Sequence, residues 1–310
     1  MKYAVIGGGI GGLTIAYLLS KEHKVKLFEK TNQLGGLART TPINGKNIEV
    51  YQHHYDETHK ELFKLCKELD VKITTFQAKR GYLSGGKIYG FDNALDLLRF
   101  EPLPFIDRIK LGLSYFYQLG GGQKVYDILW KPLLIQKFGE HYKNIKTQWL
   151  WSRPKSNGKL YYISTQELID KLRDKILETG EIIMNTECDK DTYNAVIDTT
   201  PCNKGMLPVS CVMLVMNRPL TKYYWINIGD LSFPFGLIVE KDNIVWITKY
   251  GKVEGSFIEH LKRINPDFKL SWVKEVKAFN DDYAQEINPT IEDRGLDNII
   301  KKARKTISNI

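Results

Sequence analysis

Cysteine is scarce in this chain. There are four in 310 residues, Cys66, Cys188, Cys202 and Cys211, and no two stand at C-x-x-C spacing. That spacing argues against a zinc site and against a disulfide framework, and reduced thiols in a cytoplasmic setting are expected. Long apolar runs are also missing. None approaches the roughly 18 residues needed to cross a bilayer, so no membrane span is expected, and peripheral membrane contact is left open. Met1-Lys2 and the apolar residues behind it imitate a signal peptide, but no small-residue cleavage site follows. Charge is not gathered into a tail: 45 Lys and Arg stand against 36 Asp and Glu along the whole chain, a formal net charge of +9. Such a balance reads first as solvated surface. It would also suit a phosphorylated substrate or an anionic membrane, and nucleic acid is not expected as a partner. The residues His53 and His54 lack a third ligand placed in sequence to hold a metal, so no metal site is expected.

Apolar content of 43% and aromatic content of 12% are those of a globular protein, and the length suits one large or two ordinary domains. The strongest local pattern is at the start. Tyr3 to Ile6 is a short apolar run that meets Gly7, Gly9 and Gly12 at G-x-G-x-x-G spacing and continues into Leu13 to Leu19. This reads as strand, tight turn and helix. Gly7 lets the chain turn, Gly9 lets backbone approach a pyrophosphate, and Gly12 lets the helix pack closely on the strand. The pyrophosphate is expected at the helix N-terminus, where unpaired N–H groups and the helix dipole favour negative charge. A second strand, Lys24 to Phe28, ends at Glu29, placed where an acid accepts hydrogen bonds from an adenosine ribose. The order of strand, glycines, helix, strand and acid predicts a dinucleotide-binding unit of Rossmann type.

Further along stands a second glycine pair, Gly35-Gly36, followed by Leu37, Ala38 and Arg39. Nicotinamide Rossmann domains have no fixed chemistry here, whereas flavoproteins of the amine oxidase type continue the dinucleotide site with such a pair. The expected cofactor therefore moves from NAD to FAD, with Arg39 available to a phosphate. Ile48 to Tyr55 reads as a strand ending at His53 and His54, candidates for polar contact with flavin or substrate or for plain structural histidines. Ile73 to Phe91 reads as a hairpin turned at Gly85-Gly86, and Asp92 as the cap of a helix through Leu98. Pro102 to Leu119 and Lys124 to Phe138 read as helices of a mixed cap, with Trp130, Trp149 and Trp151 lining a pocket or filling its core. Thr165 to Leu177 is an amphipathic helix, followed by strands at 181–185 and 193–201, and further strands are expected at 209–217, 223–227, 236–239 and 244–250. Glu292, Asp293 and Gly295 precede a last helix through Ile307, another helix N-terminus open to a phosphate or an electron-rich ring edge.

Together, the two glycine motifs, Glu29, Tyr51 to His54, Trp130 to Leu134 with Lys137-Phe-Gly139, Thr147 to Trp151, Arg218 to Trp225 and Glu292 to Asn298 resemble the FAD-dependent oxidoreductases of protoporphyrinogen-oxidase-like and amine-oxidase-like type. These share their FAD fold with UDP-galactopyranose mutase. The resemblance implies an α/β protein: a Rossmann-like FAD-binding domain with an inserted α+β substrate domain. It implies a discontinuous FAD domain of residues 1–74, 158–208 and 276–310, with residues 75–157 and 209–275 as substrate domain. Glu29 would hold the adenosine ribose, Arg39 would lie near the FAD phosphates, and Gly295, with Asn298 in the same turn, would start the helix facing the flavin. The chain reads as a compacted member, with Ser164-Thr165 where relatives tend to have Gly-Gly. The implied activity is hydride transfer from a small organic substrate to flavin, with His53 and His54 as catalytic candidates. The alternatives are a mutase-like, non-redox sugar-nucleotide isomerase and a binding protein that kept the fold without the flavin.

Overall fold

The computed structural model describes residues 2–117, 122–145, 149, 159–189, 192–193, 195–201, 205–251, 255–287 and 295–308. From the N-terminus the chain forms β1 (Lys2–Ile6), α1 (Ile10–Ser20), β2 (Lys24–Glu29), the hairpin β3 (Thr40–Ile43) and β4 (Lys46–Glu49), α2 (Lys60–Glu68) and β5 (Ile73–Gln77). There follow the hairpin β6 (Arg80–Ser84) and β7 (Lys87–Gly90), then α3 (Ala94–Leu98), α4 (Phe105–Tyr117) and α5 (Lys131–Phe138). After β8 (Lys159–Ile163) come α6 (Thr165–Leu177), β9 (Glu181–Met184), β10 (Ala195–Asp198), β11 (Met206–Met216), β12 (Trp225–Ile228), β13 (Leu237–Lys241) and β14 (Ile244–Tyr250). The long strand β15 (Val273–Glu286) and α7 (Leu296–Ser308) complete the order. No helix among the described residues is long and apolar enough to cross a membrane.

Two compact units result, the first of residues 1–76, 160–201 and 292–310, the second of residues 77–159 and 202–291. The first is built on a parallel sheet of order β10-β1-β2-β9. Its strands are short and apolar, as buried parallel strands are. Helix α1 connects β1 to β2 and is apolar on every side, so it must be covered all round. It packs against α6 and α7, with Leu13, Ile15, Ala16 and Leu19 buried among Leu168, Leu172, Ile176 and Ile300. The β3–β4 hairpin stands apart as a two-stranded sheet, and β5 pairs with β8.

The second unit holds a seven-stranded sheet of order β15-β11-β14-β13-β12-β6-β7, antiparallel except where β12 runs parallel to β6. Helix α5 lies against β12 and β14. Gly236 permits this approach, because a Cβ there would lie 2.8 Å from Gln136 Cβ. The hairpin β6–β7 turns at Gly85-Gly86, both at positive φ, as the sequence predicts. Three details differ from the sequence reading. The cap of α3 is Asn93, whose side chain accepts the Asp96 N–H, one residue beyond Asp92. Strand β4 ends at Glu49, so His53 and His54 lie in the segment beyond it, and not at a strand end of the parallel sheet. Residues 273–286, divided by the sequence reading between two domains, form the single strand β15 along β11.

Candidate functional site

The first unit brings its glycines together at the carboxyl end of β1. Gly7 takes φ +103° and donates its N–H to Phe28 O at 2.8 Å, which turns the chain over the end of β2. Gly12 sits so close to that turn that a Cβ would lie 1.9 Å from Gly7 O and 2.7 Å from Thr199 Oγ1. Thr199 in turn donates to Ile6 O at 2.7 Å, fastening the end of β10 to the end of β1. Gly9 is extended, caps α1 without a side-chain hydrogen bond, and has nothing within 4 Å of a Cβ built on it. The first N–H groups of α1 thus stand behind a residue with open space in front of it, the arrangement that accepts an anion at a helix start.

The second glycine pair lies alongside the first motif. Gly35 donates its N–H to Gly8 O at 2.8 Å and forms a parallel bridge with Gly9. Gly35 and Gly36 take φ +109° and +58°, and a Cβ on Gly36 would stand 3.2 Å from Gly9 Cα. Two motifs read separately in sequence are therefore one backbone surface. Arg39 leaves the short turn after Gly36, returns a guanidinium N–H to Gly36 O at 3.1 Å, and lies over the Tyr51 ring at 5.6 Å.

Glu29 is buried at the end of β2 and its carboxylate is already in use. Oε2 accepts the Gly8 N–H at 2.6 Å, while Oε1 accepts both the N–H and the hydroxyl of Thr31 at 2.8 Å. With two lone pairs per oxygen, Oε2 keeps acceptor capacity for a further partner. The acid thus also holds the glycine loop and the turn after β2, a role the sequence reading did not assign.

At the other end of the chain, Gly295 takes φ +56° just before α7 and Asn298 is half-buried in its first turn. Glu292 and Asp293, expected to mark this helix start, lie outside the described residues. The acid that anchors α7 is Asp297, which is buried and accepts the Leu62 N–H at 2.9 Å. A Cβ on Gly11 would meet Ile299 Cγ2 at 2.9 Å, so the first turns of α1 and α7 lie side by side.

His53 is tied locally. Its N–H donates to Glu49 Oε2 at 3.1 Å, its Nδ1 stands 3.5 Å from the same oxygen, and its ring stacks parallel on Tyr55. His54 is half-buried beside it. A neighbouring cluster was not legible in sequence: buried His59 with Asp56 and Thr58, at the entry to α2. Burial pushes the Asp56 carboxyl up, but hydrogen bonds from His59 and from the hydroxyl and N–H of Thr58 prevail and hold it at about 2. The signal missed was an Asp two residues ahead of a Thr at a helix entry, which is an Asx turn.

In the second unit, the Lys137 ammonium lies over Trp149 at 5.0 Å, Tyr250 at 5.7 Å and Phe138 at 5.8 Å. Trp149 is buried edge-on against Phe138, Trp130 packs on the core around Leu129, and Trp151 lies outside the described residues. Of these three candidates, the two that are described, Trp130 and Trp149, thus take the core reading.

Residues 5–69, which include both glycine motifs, match the NAD(P)-binding Rossmann-like domain family. A coproporphyrinogen III oxidase from Mycobacterium tuberculosis (strain ATCC 25618 / H37Rv) is 35% identical over 74 residues, 23% of this chain and 16% of that protein. Prenylcysteine oxidase 1 from Pongo abelii is 32% identical over 146 residues, 45% of this chain and 27% of that protein. The similarity thus spans less than a third of either curated relative. Among solved structures, a protein assigned as a protoporphyrinogen oxidase from Exiguobacterium sp. 255-15 superposes with a TM-score of 0.74. The identity is 13%, with 99% of this chain and 98% of that chain covered. Reduced UDP-galactopyranose mutase superposes with a TM-score of 0.70 at 14% identity, over 99% of this chain and 88% of that one. The chain therefore has a Rossmann-like nucleotide-binding domain and the α/β fold common to these two proteins, as the two glycine motifs and Glu29 led one to expect.

Proposed function

We propose that this chain is an FAD-dependent oxidoreductase acting on a small organic substrate. The carrying observation is the convergence of Gly7–Gly12 and Gly35–Gly36 on the start of α1, with an open position in front of Gly9 and Glu29 behind. These residues fit the adenosine diphosphate half of the cofactor. Gly9 leaves room for the diphosphate, and the N–H groups of the first turn of α1 supply its hydrogen bonds. Glu29 offers Oε2 to the ribose, and Arg39 brings a positive charge next to Gly36. The helix start at Gly295 and Asn298 is assigned to the ring end, its proximity to α1 given by the Gly11–Ile299 approach. When bound, FAD supplies a hydride acceptor, while the protein contributes orientation and electrostatics. His53, held by Glu49 and Tyr55, is the candidate for a polar contact with substrate or flavin, together with His54.

The likeness to UDP-galactopyranose mutase along 99% of the chain favours a second reading, a flavin-dependent sugar-nucleotide isomerase. One set of measurements separates the readings. Purified protein is expected to carry, or to be reconstituted with, yellow FAD, which candidate substrates bleach under anaerobic conditions. Turnover of UDP-galactopyranose only after prior reduction would establish the mutase instead. A colourless protein that FAD does not reconstitute would sink both and leave a binding protein.

A further inference from the structure

The helix α4 is inside out. On a wheel of about 100° per residue, Phe105, Ile106, Ile109 and Leu113 share one arc about 100° wide, with Asp107 and Leu111 on the opposite side. In a helix packed on its own core, the apolar arc would be buried. Here Asp107 is 8% exposed and Leu111 is buried, while Phe105 is 68%, Ile106 67% and Leu113 47% exposed. Helix α3 extends the apolar surface. A Cβ on Gly112 would lie 3.4 Å from Leu98 Cδ2, so α3 lies along α4 at that point, and it adds exposed Leu95 and Leu98. Six large apolar side chains thus face solvent on two adjoining helices, a patch of the kind that marks an interaction site.

Charge selects the partner. Lys110 and Arg108 flank the apolar arc of α4, one on each side, Arg108 half-buried with its Nε donating to Leu103 O at 2.6 Å. Lys110 is paired with Asp107 at 3.1 Å yet remains about half exposed, and exposed Arg99 closes α3. The chain as a whole carries +9. Apolar side chains outward with cations at the margins of the arc is the pattern of a helix lying in a bilayer interface, its basic stems reaching up to headgroups. A bilayer needs no matching shape, so six outward apolar side chains with cations beside them are enough for interfacial binding. We infer that the α3–α4 face docks this protein reversibly on an anionic lipid surface, with Phe105, Ile106, Ile109 and Leu113 entering the headgroup boundary. The inference stands independently of the flavin.

The test is co-sedimentation of the 310-residue chain with phosphatidylcholine vesicles, with and without about one-third phosphatidylglycerol, at low and high salt. The wild type is expected to bind the anionic vesicles, to bind neutral ones about tenfold less, and to be released by salt. Ile106→Glu and Phe105→Ser should each lower binding about tenfold or more with unchanged thermal unfolding, while Ile106→Leu retains it. No binding by the wild type to either vesicle, equal binding to both, or wild-type binding by the folded Ile106→Glu variant overturns the assignment. So does light scattering that finds a dimer which Ile106→Glu converts to a monomer, since the face would then belong to a second copy.

Discussion

At the scale of single residues, the glycines of the first motif do different work, and substitution separates them. In Gly12→Ala the new methyl group would meet backbone at Gly7 O, 1.9 Å away, where no flexible side chain can give. A loss of about 3 kcal/mol or more in urea unfolding is expected, with loss of FAD binding. Gly9→Ala meets nothing within 4 Å and keeps an ordinary extended backbone, so its unfolding should match the wild type. Its FAD affinity should nonetheless fall, because the methyl group would occupy the position proposed for the diphosphate. Equal FAD affinity in wild type and Gly9→Ala would count against the cradle. Glu29→Ala removes the acceptor of the Gly8 and Thr31 N–H groups, and about 1–3 kcal/mol of stability should go with it. On the proposed role of Glu29 at the ribose, FAD binding should also weaken by about 0.5–1.5 kcal/mol for each hydrogen bond lost, readable by titration calorimetry. For Asp56 the sign follows from its lowered carboxyl. A folded value of about 2 lies below the unfolded value, so its contribution is complete above about pH 4 and is lost as pH falls through about 2. With solvent screening this amounts to about 1–2 kcal/mol, and Asp56→Asn should flatten that part of the acid unfolding curve.

At the scale of elements, local signals served where a helix carries its own boundaries. Helix α6 runs over Thr165–Leu177 as its apolar spacing predicts, and Ser164 closes its start by accepting the Glu167 N–H at 3.2 Å. Ser164→Ala should lower the melting free energy by about 1 kcal/mol and Ser164→Gly by only a few tenths, the mark of a cap. Strand β15 was not legible, and its composition gives the reason. Residues such as Lys274, Glu275, Lys277, Asp281 and Asp282 break any apolar alternation, because among the described residues β15 is an edge strand paired with β11. Charged side chains guard such an edge against pairing with another chain. The periodicity of α4 predicted a helix correctly but not which arc is buried, since an apolar arc normally faces the core. The histidines at 53 and 54 followed a continuous run of strand-forming residues, yet pairing of β4 with β3 stops at Glu49.

At the scale of the whole molecule, the nucleotide site belongs to a unit assembled from three separate stretches of chain. If FAD is the ligand, as proposed, it stabilises the folded form of that unit, and at about 100 times its Kd it should raise the unfolding free energy by about 2.7 kcal/mol, and less in Gly9→Ala. Calorimetric scans with and without FAD check this. Sequence alone determined that a strand, a glycine turn, a helix and an acid recur in the order of a dinucleotide site, because each depends on neighbours within a few residues. Tertiary structure alone decided that Gly35-Gly36 lies against Gly8-Gly9, that Thr199 and Asp297 lock the ends of β10 and α7, and that α4 turns its apolar arc outward. Those facts rest on pairings between residues dozens to hundreds of positions apart, which no local pattern of side chains encodes.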